Sequence, residues 1–209
     1  MATALLEKQE VKAPDTVAEE TGPVPYHWTA EAMSKALDAG VFEHPERLEL
    51  IQGRIIENMS QNAPHASLRR RIGRLLRGVM EPPFLVMEES SLRLALDGEP
   101  VPDVLVVIGT EADYDLRHPT QAEAMLVVEV SDTSAAYDLG SKSILYAQAA
   151  IADYWVVLVN TMEVVVHREP SPDGYQNVMR LTGTNALSPL AMPDAVWTID
   201  ALLGKRTNQ

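Results

Sequence analysis

Residues 102–108, Pro-Asp-Val-Leu-Val-Val-Ile, and residues 125–131, Met-Leu-Val-Val-Glu-Val-Ser, decide the reading of the fold. Both runs are nearly continuous in aliphatic and β-branched side chains, the composition of strands covered on both faces. They predict neighbouring strands in a central sheet flanked by helices, an α/β architecture. Each run also carries a misfit. Asp103 enters the first behind Pro102, and Glu129 lies inside the second among Val127, Val128 and Val130. A carboxylate in such company is costly unless a cation or several hydrogen bonds satisfy it. On adjacent strands the two acids project toward one point. Paired carboxylates with a backbone carbonyl are the hard oxygen ligands that Mg²⁺ or Mn²⁺ prefers. The plainer alternative gives each acid a solvated strand end or an arginine partner.

Downstream, residues 135–151 read as one helix, on which Asp138, Lys142, Leu145, Tyr146 and Ala149 share a side at 100° per residue. Lys142 therefore sits among apolar positions, where its ammonium can reach the mouth of the sheet; the alternative is an i,i+4 ion pair with Asp138. Strands are expected at 154–159 and 163–167, with a last extended segment at 175–181. Upstream, Thr29 caps a helix that Gly40 stops. Leu48 to Met59 forms a hairpin around Gln52-Gly53. Glu49 alternates there with Leu48 and Leu50, a pattern that usually marks a solvent-facing position. The clearest helix runs from His65 to Met80, with Leu68, Ile72, Leu75, Leu76 and Val79 on one side and Arg70, Arg71, Arg74 and Arg77 on the other. That arginine face is either a contact for a phosphate backbone or a solvated surface paired with nearby acids. Residues 84–96 read as extended chain closed by a turn at Asp97-Gly98.

The chain has 209 residues and 46% hydrophobic content, enough for one substantial core. Residues 1–25 are polar, aperiodic and carry Pro14, Pro23 and Pro25, which reads as a mobile tail before a domain at 26–204 and a short tail at 205–209. No run approaches the ~20 apolar residues of a membrane span, and the N-terminus lacks the pattern of a signal peptide, so a cytoplasmic location is expected. With no cysteine, disulfides, thiolate nucleophiles and cysteine zinc sites are excluded. The five histidines lack paired zinc spacing, no Gly-x-Ser-x-Gly elbow occurs, and Gly140-Ser-Lys142-Ser lacks the glycines of a phosphate loop. Thirty acids against 17 bases give a charge of −13, the wrong sign for long-range attraction to phosphates. Local basic charge still acts within a Debye length of about 8 Å.

Pro102-Asp103, Glu129-Val-Ser131 and Asp138-x₃-Lys142-x₃-Tyr146 together resemble the Uma-two family of endonucleases, a branch of the PD-(D/E)xK superfamily. Arg47-Leu-Glu-Leu-Ile-Gln-Gly53, Pro64-His65 and Asp153-Tyr-Trp155 resemble its flanking blocks, so the likeness spans residues 26–200. The resemblance implies a restriction-endonuclease-like fold, with a mixed central sheet flanked by helices. It implies Asp103, Glu129 and the Val130 carbonyl as ligands of Mg²⁺ or Mn²⁺, Lys142 as the catalytic lysine and Glu49 as an auxiliary acid. DNA is the implied substrate and a homodimer the implied assembly. Ser131 departs from the wider superfamily, because it stands where the lysine of the (D/E)xK motif belongs; the following helix has to supply that lysine. Two other readings use the same residues: a nuclease-like fold that binds without cleaving, and a hydrolase of a small phosphorylated or glycosidic substrate.

Overall fold

The computed structural model describes residues 24–204 apart from 59, 60 and 96, so all but the last two residues of the expected N-terminal tail, and the whole C-terminal one, lie outside the described residues. Helix α1 (Ala30–Asp38) starts where Thr29 accepts a hydrogen bond from the Ala32 N–H at 3.1 Å. The hairpin of β1 (Leu48–Ile51) and β2 (Arg54–Glu57) turns through Gln52 at φ 49° and Gly53 at φ 73°. Two successive positive φ values make the kind of turn whose twist matches that of the strands it joins. Helix α2 (Ala63–Arg77) begins two residues before the expected His65. Asn62 caps it by accepting from the His65 N–H at 3.0 Å, and Pro64 fits the first turn, where no N–H is needed.

Strands β3 (Phe84–Glu88) and β4 (Val104–Ile108) are followed by β5 (Ala124–Ser131). The extended chain expected over 84–96 is shorter as a strand, because Glu89 takes φ 48° and the backbone leaves the sheet. The expected single helix over 135–151 is in fact α3 (Ala135–Tyr137), a π turn (Asp138–Lys142) and α4 (Ser143–Gln148). Then come β6 (Asp153–Leu158), β7 (Glu163–Ser171) and β8 (Gly174–Thr182), the last two longer than their expected spans. Three short elements carried no sequence signal: β9 (Ala186–Leu187), β10 (Trp197–Thr198) and α5 (Ile199–Leu203).

The central sheet has six strands in the order β3-β4-β5-β6-β7-β8, with β5 and β6 parallel and every other pair antiparallel. A parallel pair needs a crossover, and the α3–π–α4 run supplies it. Both faces of the sheet are buried. Val104, Val106, Leu126 and Val128 pack with Leu68, Ile72 and Leu76 of α2 and with Leu202 of α5. Leu105, Val107 and Val127 face the other way, into a second core with Leu145 and Tyr146 of α4. Side chains alternate along a strand, so Glu129 shares the face of Val127 and looks toward the crossover. The register pairs Val104 with Val128, which brings Asp103, one step further, opposite Glu129. Like charges directly opposite destabilise a sheet unless something neutralises them.

Candidate active site

Glu49, Asp103, Glu129, Asp138 and Lys142 are all at most 6% exposed and line one cavity of about 340 Å³. Lys142 is the one Lys or Arg among the described residues that line it. Its Nζ donates to Glu129 Oε1 at 3.0 Å and to Glu49 Oε1 at 3.1 Å, and lies 3.1 Å from Glu49 Oε2 as well. The ammonium is thus turned inward and bridges two carboxylates from different sheets. The i,i+4 pair with Asp138 does not form as a direct contact. Asp138 Oδ2 instead accepts from the hydroxyls of Ser131 and Ser134, each at 2.6 Å. Ser131, in the lysine's usual motif position, therefore ties the start of the crossover to the end of β5.

Glu49 is 1% exposed, so the solvent-facing reading of its alternation is wrong. Its face of the hairpin is covered, since Lys142 meets the Glu49 carboxylate and Ile51, two residues on, packs in the second core; at the edge of β1, Leu50 and Glu99 exchange backbone hydrogen bonds at 3.3 and 2.7 Å. This holds the next turn of chain against β1, and the Val101 N–H donates to Glu49 Oε1 at 2.9 Å. Asp103 Oδ2 accepts from the Val130 N–H at 2.8 Å and lies 3.2 Å from His65 Nε2, while Gln61 donates to Oδ1 at 3.3 Å. Tyr146 donates its phenol to Glu129 Oε1 at 2.8 Å. Asp103, Glu129, Glu49 and Lys142 are brought together. Tyr146, Asp138, Gln61 and His65 complete the network; of these, the sequence offered Tyr146 and Asp138 through their spacing from Lys142, but gave no signal for Gln61.

Burial, first of all, pushes the Glu129 carboxyl well above its usual range; Lys142 opposes this, and Asp138, Asp103 and Glu49 add to it. For Lys142, burial pulls toward the neutral amine, but Glu129, Glu49 and Asp138 together overcome it and hold the ammonium above its usual range. Burial likewise keeps the Tyr146 phenol protonated and able to donate. Four carboxylates around one ammonium leave a surplus of negative charge for a further cation to balance. The donors are carboxylate oxygens, so the site's chemistry fits a hard divalent ion. Among the described residues, no three His, Asp or Glu side chains converge tightly enough to hold a metal alone. The ligand set the resemblance implies, two carboxylates and the Val130 carbonyl, does not call on a third side chain.

The arginine face divides. Arg71 donates to the Leu202 and Ala201 carbonyls at 2.9 and 2.8 Å, capping α5, and Arg77 pairs with Glu88 at 2.5 Å. Arg70 and Arg74 are exposed and form no ion pair among the described residues. No helix among the described residues is long and apolar enough to cross a membrane.

A family model matches residues 32–202, that of Uma2, described as a putative restriction endonuclease. No curated protein matches the chain. Among solved structures, the chain is similar to a putative nuclease belonging to DUF820 from Anabaena variabilis, at 16% identity and a TM-score of 0.64, with 82% of this chain and 96% of that one covered. The likeness establishes a restriction-endonuclease-like fold.

Proposed function

This chain belongs to the Uma2 family of putative restriction endonucleases, and from that premise we propose that it is a divalent-metal-dependent endonuclease acting on DNA. The observation that carries the reading is the inward Lys142, held by Glu129 and Glu49 in a cavity that Asp103 also lines. Asp103, Glu129 and the Val130 carbonyl would hold Mg²⁺ or Mn²⁺. When bound, the ion supplies charge neutralisation at the phosphoryl group and a lowered pKa for water. Lys142 places a fixed positive charge where the transition state gathers negative charge, and it needs no reorganisation to do so because two carboxylates already orient it. Glu49 positions Lys142. Tyr146 fixes one Glu129 oxygen, leaving the other for the ion.

Supercoiled plasmid should be nicked in Mg²⁺ or Mn²⁺ and left intact in excess EDTA, read on an agarose gel. Intact plasmid under every metal condition, together with single-stranded DNA left uncut, would favour the reading of a fold that binds without cleaving. That second reading draws on the acid-rich wall, where Glu57 and Asp132 join the buried carboxylates.

Arg70 and Arg74 are the residues we assign to the phosphate backbone, and a homodimer would set two sites against the two strands. Arg70→Ala with Arg74→Ala should weaken DNA binding across sequences and lower the slope of log K against log salt by about two, measured by fluorescence anisotropy. Arg71→Ala should leave that slope unchanged and cost about 1.5–3 kcal/mol of stability, the worth of hydrogen bonds from a charged group.

A further inference from the structure

The cavity wall holds many acceptors and few uncommitted donors. Glu49, Glu57, Asp103, Glu129, Asp132 and Asp138 contribute carboxylates. Most donors in the wall already serve them. Lys142 donates to Glu49 and Glu129, the Val130 N–H and Gln61 to Asp103, Asn62 to Asp132, and Ser134 to Asp138. An anionic substrate entering here needs a hydrogen-bond donor that has no carboxylate of its own.

Tyr137 meets that need. Five buried side-chain atoms among the described residues lack a hydrogen-bond partner: Glu49 Oε2, His65 Nδ1, Arg69 Nε, Tyr137 Oη and His167 Nδ1. Three of the residues that carry them, Glu49, His65 and Tyr137, line this one cavity. The other two lie outside it, and Arg69 Nε stands 3.4 Å from Glu88. Glu49 Oε2 already faces the Lys142 ammonium, and His65 turns its other nitrogen to Asp103. The Tyr137 hydroxyl has neither kind of compensation. A polar atom buried without a partner costs about 1–3 kcal/mol, so such atoms are few and their grouping at one cavity is informative. Burial, and then the charges of Lys142, Glu49, Asp138 and Glu129, act on this phenol. Burial dominates and raises its pKa, so the hydroxyl stays protonated and remains a donor. Tyr137 ends α3 immediately before the π turn that carries Lys142, so the two residues come to the cavity wall on one continuous helical stretch.

We propose that Tyr137 is a substrate-contacting residue whose hydroxyl donates a hydrogen bond to a non-bridging oxygen of the phosphodiester bound beside Lys142. The inference rests on the nuclease reading and deepens it by naming the donor that receives the phosphoryl group. It divides the labour in the wall: acids and lysine hold charge, and a neutral phenol holds the substrate oxygen without adding to the repulsion.

The test is Tyr137→Phe in the full chain. Plasmid nicking in Mg²⁺ should show kcat lowered by about 100- to 1,000-fold, the usual effect of removing one transition-state donor. The melting temperature should hold or rise, because the hydroxyl has no partner to lose. A fluorescein-labelled oligonucleotide in Ca²⁺ should bind several-fold more weakly to the variant. Wild-type nicking and wild-type binding by the variant would overturn the role of Tyr137 and leave the nuclease reading standing. So would a slow variant whose melting temperature has fallen by several degrees, since the hydroxyl would then be structural. A wild-type protein that neither nicks plasmid nor binds the oligonucleotide would overturn the nuclease reading itself, and this proposal with it.

Discussion

Lys142→Met should yield a protein that no longer cleaves DNA and is less stable by about 3–5 kcal/mol, the usual result of removing one partner from a buried ion pair. The thioether keeps most of the lysine's volume, so cavity formation contributes little and the change is electrostatic. Glu49 and Glu129 are left side by side in an interior that their own burial already makes hostile to charge. Removing Lys142, the largest influence that lowers the Glu129 pKa, leaves burial and three acids to drive that carboxyl toward its neutral form. Urea unfolding of Lys142→Met, Glu129→Gln and the double variant measures the coupling. The double variant should recover part of the loss, because no unpaired charge remains between the two positions, while cleavage stays absent. A single-variant loss below about 1 kcal/mol, the range of exposed pairs, would mean that the lysine is not the clamp described here.

The strands that build this site were legible because burial on both faces leaves a plain mark: Val104 to Ile108 and Met125 to Val130 have no polar alternation to dilute them. The same uniformity made Asp103 and Glu129 stand out, since a lone carboxylate in such a run requires a partner. Lys142 was legible as a cation on an apolar helical side, although for a partly mistaken reason. The helix is not regular there, and the Asp138–Lys142 π turn shifts the phase between the residues before and after it. No local residue announces a π turn, and most of what grips it comes from elsewhere in the fold: Ser131, beside the local Ser134, holds Asp138 on one side, and Glu49 and Glu129 hold Lys142 on the other. Glu49 was legible only through the resemblance, since its alternation with Leu48 and Leu50 fits a solvent-facing position equally well. Alternation shows that a strand has two faces, but not that Lys142 and the second core meet the face of Glu49 and Ile51. The arginines of α2 show the limit most clearly. Periodicity places four of them away from the core, and only the arrival of α5, too short to have a pattern of its own, takes Arg71 out of that set.

Asp103→Ala should abolish both cleavage and the response to metal, and the two losses can be measured separately. Wild-type protein should melt higher in Mn²⁺ than in EDTA, by an amount that grows with concentration; at one hundred times Kd the stabilisation is about 2.7 kcal/mol. The variant should show no such increment. Its stability in EDTA is set by two opposing changes. The Val130 N–H loses its acceptor, which costs about 1–3 kcal/mol. Against that, one of the acids that raise the Glu129 pKa is gone, and the repulsion across the β4–β5 pair is relieved. A small net change in EDTA with a complete loss of the Mn²⁺ increment would therefore identify Asp103 as a group retained for the ion and not for the fold. A variant that still gains stability from Mn²⁺ while cleaving nothing would move the ion to Glu129 and Glu49 and leave Asp103 the task of holding His65 and the Val130 N–H in place. Cleavage that survives in Asp103→Ala would remove Asp103 from the reaction altogether, and with it the pairing of acids on β4 and β5 from which the nuclease assignment was built.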